Sequence, residues 1–478
     1  MTRSISANLR SLALTIALAF LVTSVGVGYW TLVASDELSS DPFNPRLVAA
    51  IRDRPRGRIL DAAGGVLAES VKTPDGYVRR YADRSLAQVV GFASFTYGTA
   101  GIEAAYSDSL IGQDPGDPLA AWRARYLGER EAPGAVVLGI DPKVQKAAVD
   151  ALAGRRGAII ALDPRTGAII ASVSFPNYDP AQLSDPRTED AAWRQVNGDQ
   201  GKPLLDRARQ GLYPPGSTFK LVTGAAALEN GVNPDQKVRV DDPWQADASW
   251  GDYFVRSSSK AHGDYTMADG YRLSENIYFA KVGLQLGGAK LAEYAQRFGI
   301  GTAPRCDVTA AKGQLSSTGS LDRPTLVADT AFGQGELLTS PLQMALVAAA
   351  IGRGGVMPSP HYALEVRDAA GNTLRTIAPT PIGQVIRPDT AAKITAMLVG
   401  AVSGPGAFAF GAKIPNVNVA GKTGTAENPS GVPHGWFVGF APAENPVVAV
   451  AVVIENTPQG GLDAAPPGGK VMQAALGR

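Results

Sequence analysis

With 478 residues the chain exceeds one ordinary domain, and its composition, 45% hydrophobic and 19% charged, is globular and excludes a mainly disordered or collagenous chain. Its 45 Lys and Arg balance 44 Asp and Glu to a net charge of +1, and no basic run or aromatic stacking motif appears, so nothing favours nucleic acid as a partner. The single cysteine, Cys306, excludes a disulfide framework, and His262, His361 and His434 lack zinc-site spacing, so no metal or other cofactor is implied.

Residues 11–35 form an uncharged apolar run long enough to cross a bilayer as a helix. Arg3 and Arg10 precede it, and Asp36, Glu37 and Asp41 follow. The positive-inside rule then places residues 1–10 in the cytoplasm and everything after 35 outside the cell membrane. Tyr29 and Trp30 fall toward the outer end, where amphipathic rings favour the interface. Val33-Ala-Ser35 has the small residues of a signal-peptide cleavage site, but the run is long for a cleaved leader, and a single uncleaved anchor is the expectation.

Residues 36–140 carry their own turn signals and read as a separate module, with 141–478 as the main domain. Arg56-Gly-Arg-Ile-Leu-Asp61 and Val66-Leu-Ala68 flank Ala62-Ala-Gly-Gly65, which predicts a hairpin. A second hairpin is predicted over 157–162 and 168–174, around Asp163-Pro-Arg-Thr-Gly167. Helices follow over 217–230, stopped by Gly231, and over 341–351, with Thr339 and Ser340 as caps and Pro341 in the first turn. Three more strands are expected at 419–426, 435–440 and 447–455, then a short helix at 470–476. Strands from both ends of the domain around a helical centre predict one antiparallel sheet of five strands with helices on its faces, an α+β fold. That sheet brings residue 420 beside residue 217.

Chemistry concentrates at Tyr213-Pro-Pro-Gly-Ser-Thr-Phe-Lys220. The prolines and Gly216 force a turn, and Leu221, Val222, Ala225, Ala226 and Leu228 read as a buried helix behind it. Ser217 therefore sits at a helix start, near free backbone N–H groups and the positive end of the helix dipole. Lys220 lies one turn on, and a lysine between apolar walls loses its proton readily enough to serve as a base. The spacing alone is weak, because Ser257-Ser-Ser-Lys260 matches it too; that match lies in a polar stretch, and Ser257 is expected in a solvated loop. Ser274-Glu-Asn276 and then Lys422-Thr-Gly-Thr425 follow Ser217 in the order seen in serine β-lactamases and penicillin-binding proteins. Ser-x-Asn recurs at Ser6-Ala-Asn8 and is weak alone. Lys422, Thr423 and Thr425 offer a cation and hydroxyls for a carboxylate, and Gly424 is expected to let a substrate backbone approach. Cys306 reads as a small buried or loop thiol and not as a nucleophile.

Taken together, these motifs resemble the class B penicillin-binding proteins, the D,D-transpeptidases of bacterial cell-wall synthesis. The resemblance extends to Arg56-Gly-Arg-Ile-Leu-Asp61 and Gly98-Thr-Ala-Gly-Ile-Glu103, which look like motifs of the family's membrane-proximal pedestal, although Ala62 and Ala63 depart from the polar pair usual there. Phe332-Gly-Gln-Gly335 and Trp436-Phe-Val-Gly-Phe440 are similar to later family segments. The resemblance implies the penicillin-binding transpeptidase fold and attack by Ser217 on the carbonyl between two terminal D-alanines of a stem peptide. It further implies Lys220 as base, Ser274 as proton relay and Asn276 as partner of the substrate amide and of Lys220. Lys422, Thr423 and Thr425 would hold the substrate carboxylate beside Gly424, with the Ser217 and Thr425 N–H groups as oxyanion hole. β-Lactams would acylate the same serine, and a glycosyltransferase of the division or elongation machinery is the expected protein partner.

A D,D-carboxypeptidase differs only in using water as acceptor and stays open. A β-lactamase is disfavoured, since no Glu-x-x-x-Asn helper follows Ser274. A bifunctional synthase lacks room for a second catalytic domain, an inactive scaffold would have lost Ser217 or Lys220, and a β-lactam sensor would need a route for signalling.

Overall fold

The computed structural model describes residues 5–32, 55–74, 76–113, 132–257 and 261–477. Arg3, the Val33-Ala-Ser35 site, Asp36, Glu37, Asp41 and Lys260 lie outside the described residues. The N-terminal helix Ile5–Leu32 contains an exposed apolar stretch, Ala7–Trp30, of 24 residues. At ~1.5 Å per residue it covers the ~30 Å hydrocarbon core of a bilayer. The helix starts before residue 11, because Ser6 to Arg10 continue it without a breaker.

The first expected hairpin is present. Strand Arg58–Leu60 pairs antiparallel with Val66–Thr73, and Asp61 Oδ1 accepts the N–H groups of Ala63 at 2.9 Å and Gly65 at 2.7 Å, which closes the turn. The sheet continues on one side to Gly76–Tyr81 and on the other to Ala135–Leu138, Ala363–Arg367 and Thr373–Thr376. Two of its six strands thus come from far down the chain. Beneath it, the fully buried Glu103 is clamped by Arg56 and by Arg79, the latter at 2.6 Å. Burial alone would raise this carboxyl, but the two guanidinium charges outweigh it and hold the carboxyl below its ordinary value.

The main sheet has the five strands expected, all antiparallel, in the order Ala420–Ala426, His434–Ala441, Val448–Ile454, Gly157–Leu162, Ile169–Phe175. Every residue of Gly157–Leu162 and Val448–Ile454 is buried, because helices cover both faces. Alternation then divides the strands between two cores. Ile160, Leu162, Ala451 and Val453 share one core with helix Pro341–Gly352, while Ile159, Ala161, Val450 and Val452 share the other with Val144 and Ala148 of helix Pro142–Leu152 and Ala464 and Val471 of helix Gly461–Ala475.

Two local expectations are corrected. Ser340 alone caps Pro341–Gly352, in a capping box with Gln343, while Thr339 exchanges backbone hydrogen bonds with Tyr213. The last helix begins at Gly461, not 470, and runs through Pro466 and Pro467. Packing overrides the prolines: Pro467 and Gly468 are buried, and Gly468 lies so close to Phe437 that a Cβ there would meet the ring at 2.2 Å.

Candidate active site

Ser217 stands in the one-turn 3-10 helix Gly216–Phe219, which leads directly into the buried α-helix Lys220–Glu229. The turn is held from three sides. Trp436 Nε1 donates to the Pro214 carbonyl at 2.9 Å, Thr218 Oγ1 donates to that of Pro215 at 2.7 Å, and the Gly216 N–H donates to the Gly333 carbonyl at 2.8 Å. Trp436 and Phe332-Gly-Gln-Gly335 thus buttress the turn that carries Ser217.

Ser217 opens onto a cleft of about 510 Å³, shared with Ser274, Asn276, Thr423 and Thr425. Lys220 and Lys422 lie behind this wall, both buried. Lys220 Nζ donates to the Ser274 carbonyl at 2.8 Å and to Asn276 Oδ1 at 2.8 Å. Lys422 Nζ donates to Ser274 Oγ at 2.7 Å and to the Thr423 carbonyl at 3.0 Å. Three segments far apart in sequence therefore form one hydrogen-bonded unit around Ser217.

The electrostatics follow from burial. Desolvation, reinforced by the charge of Lys422 and opposed by that of Glu275, pushes Lys220 well below the ordinary lysine range. Desolvation brings Lys422 down to about 7. A neutral Lys220 amine has two N–H donors and one lone pair; the two acceptors at 2.8 Å use the donors, so the lone pair takes no part in these bonds. Because Lys422 donates to Ser274 Oγ, the Ser274 hydroxyl proton is not used in that bond.

Gly424 plays a different part from the one expected. Its missing side chain faces the Ser217 turn, where a Cβ would stand 2.8 Å from the Pro215 carbonyl oxygen and 3.1 Å from Thr218 Cγ2. Thr423 and Thr425, on the other face of the strand by the two-residue alternation, line the cleft. Ser257 is also corrected: it is buried, it lines the same cleft, and its Oγ donates to Glu275 Oε2 at 2.6 Å. Cys306 is half-buried, its Sγ donates to Asp307 Oδ1 at 3.2 Å, and burial followed by the Asp307 charge pushes its thiol far up, which makes it a poor nucleophile. Tyr253, Asp329 and Glu427 also line the cleft and escaped the sequence reading. Asp329 shortly precedes the Phe332-Gly-Gln-Gly335 segment; no local pattern marks Tyr253.

A family model described as the penicillin binding protein transpeptidase domain matches residues 157–473. This chain belongs to the penicillin-binding transpeptidase family. A second model, the penicillin binding protein A dimerisation domain, matches residues 56–137. The peptidoglycan D,D-transpeptidase PbpA of Mycolicibacterium smegmatis is 34% identical over 98% of this chain and 99% of its own length. The peptidoglycan D,D-transpeptidase MrdA of Acinetobacter baumannii is 30% identical over 81% of this chain and 62% of its own. Penicillin-binding protein A of Mycobacterium tuberculosis, solved as a ceftriaxone acyl-enzyme complex, superposes with a TM-score of 0.83 at 30% identity, covering 90% of this chain and 100% of that one. The family's penicillin-binding fold is thus present together with the pedestal and the N-terminal apolar helix.

Proposed function

We infer that this chain is a peptidoglycan D,D-transpeptidase that cross-links stem peptides through a Ser217 acyl-enzyme. The observation that carries the reading is the hydrogen-bonded set of Lys220, Ser274, Asn276 and Lys422 at 2.7–2.8 Å behind a cleft that Ser217 enters. Ser217 Oγ gives its proton to the neutral Lys220 amine and attacks the carbonyl between the terminal D-alanines of a donor stem. The tetrahedral oxyanion is met by the N–H groups of Ser217 and Thr425. As the C–N bond breaks, Ser274 relays a proton to the departing D-alanine amine, leaving an ester on Ser217. Asn276 orients the donor amide; Lys422, Thr423 and Thr425 receive its carboxylate, and Gly424 lets the strand sit against the Ser217 turn. The amine of a neighbouring stem then attacks the ester, forms the cross-link amide and frees Ser217. A β-lactam enters the same path and stops at the ester, because its leaving amine stays tethered to the acyl group.

We read the apolar helix as the single anchor of a cell-membrane protein, with residues 1–10 cytoplasmic by the charges around it and the enzyme outside, and the pedestal as the surface for a partner glycosyltransferase. A fluorescent penicillin labels the full chain covalently in membranes, and Ser217→Ala reduces labelling to background while Ser257→Ala remains labelled at long times. Label that survives Ser217→Ala contradicts the assignment. A pentapeptide thioester with an amine acceptor distinguishes transfer from trimming: release by hydrolysis with no aminolysis product makes the chain a carboxypeptidase.

A further inference from the structure

The second Ser-x-x-Lys match joins the site by a route its sequence does not suggest. Ser257 Oγ donates to Glu275 Oε2 at 2.6 Å, and the Ser257 N–H donates to Asp242 Oδ1 at 2.6 Å. Glu275, the middle residue of Ser274-Glu-Asn276, is fully buried. Its other oxygen, Oε1, accepts the Ile277 N–H at 3.0 Å and so caps helix Asn276–Leu286. One residue on, Asn276 Nδ2 donates to the Arg256 carbonyl at 3.0 Å. Two neighbours in the cleft wall, Arg256 and Ser257, are therefore tied to two neighbours in the motif.

A buried carboxylate keeps one orientation only while its oxygens are hydrogen-bonded, and Ser257 supplies one of those bonds. Glu275 in turn fixes the helix start from which Asn276 projects. With Oδ1 on Lys220 and one Nδ2 hydrogen on Arg256, Asn276 keeps a single N–H for a donor amide carbonyl. We propose that Ser257 and Glu275 form a positioning pair that holds Asn276 in this orientation, so that acyl transfer at Ser217 depends on a serine outside the three recognised motifs. The proposal rests on the transpeptidase reading and refines it. The charge of Glu275 also opposes the loss of the Lys220 proton, which gives the pair a second influence on the base.

The test uses the full chain in detergent and a fluorescent penicillin, with the acylation rate at saturation separated from the half-saturating concentration. Ser257→Ala and Glu275→Gln each lower the saturating rate by roughly tenfold or more and move the half-saturating concentration by less than about twofold, the pattern of misplaced groups and not of a lost binding contact. Ser257→Thr restores the rate, and the double variant is no slower than either single one, because both changes break one unit. A wild-type rate in Ser257→Ala, or losses that multiply in the double variant, overturns the proposal. Should Ser257→Ala unfold at the assay temperature, Ser257→Cys replaces it, filling the same space with a weak donor: slow acylation beside a normal Ser257→Thr supports the pair, and equal rates overturn it. Fast, equal labelling of all these variants with none in Ser217→Ala removes only the positioning pair; an unlabelled wild-type chain removes the transpeptidase reading with it.

Discussion

Ser274 adopts φ +56°, a left-handed conformation that costs a serine on the order of 1–2 kcal/mol. The strained backbone sends its carbonyl to Lys220 and its hydroxyl to Lys422, so one residue serves both amines. Those amines set the pH dependence. Lys220 lies well below 10.5 and Lys422 falls to about 7, so in the folded protein both favour the neutral form. Between about pH 7 and the ordinary lysine value the unfolded chain binds more protons than the folded one, and the stability linked to these groups rises with pH over that window. Because Lys422 loses its charge as the pH climbs through about 7, the half-saturating penicillin concentration rises over that step. A half-saturating concentration that is flat from about pH 5 to about pH 9, or that falls on that climb, contradicts this role for Lys422.

The turn that carries Ser217 is wedged between the Ala420–Ala426 strand and the Phe332-Gly-Gln-Gly335 segment, and glycines make the wedge possible. A Cβ on Gly333 would stand 1.8 Å from the Gly216 carbonyl oxygen, at a residue whose φ is +92°. Gly333→Ala must displace the Ser217 turn, at a cost of about 2–4 kcal/mol from overpacking and left-handed strain together. Urea unfolding checks the loss, and penicillin acylation should fall further than stability does. Gly231 is the control: its φ is +83°, but a Cβ there meets nothing within 4 Å. Gly231→Ala loses about 1–2 kcal/mol and acylates at the wild-type rate. Equal acylation by both variants contradicts the wedge.

The expected boundary at residue 140 follows the order of the chain, while the packing crosses it. Strand Ala363–Arg367 pairs with Ala135–Leu138, and Val366 of the one and Val136 of the other are buried together in the pedestal core. Removing everything before residue 141 strips that partner and leaves an apolar strand edge, a template for association. A piece spanning 55–478, which lacks only the N-terminal helix and its connection, stays monodisperse on size exclusion and binds penicillin. The piece spanning 141–478 aggregates or expresses poorly. A monodisperse 141–478 piece that acylates normally shows that the pedestal is dispensable for folding.

Much of this was legible locally. The short apolar runs bounded by turn signals in 157–174 and 435–455 specify strands, because a run apolar on both faces and a Pro or Gly at a turn are properties of neighbouring residues. Ser217 at a helix start needed only Pro214, Pro215 and Gly216 before it and the apolar run after it. What lay beyond reach depended on contacts between distant segments. Ser257 reads as polar loop, yet it is buried because Glu275 receives its hydroxyl. Gly424 reads as room for a ligand, yet the room is taken by the Ser217 turn. The last helix is expected only over 470–476, yet it starts at Gly461 and packs on the sheet face through Pro466 and Pro467. Local chemistry is written in the chain, but burial is a relation between segments, and only the assembled structure decides which groups lose their water and therefore what Lys220, Lys422 and Glu275 can do.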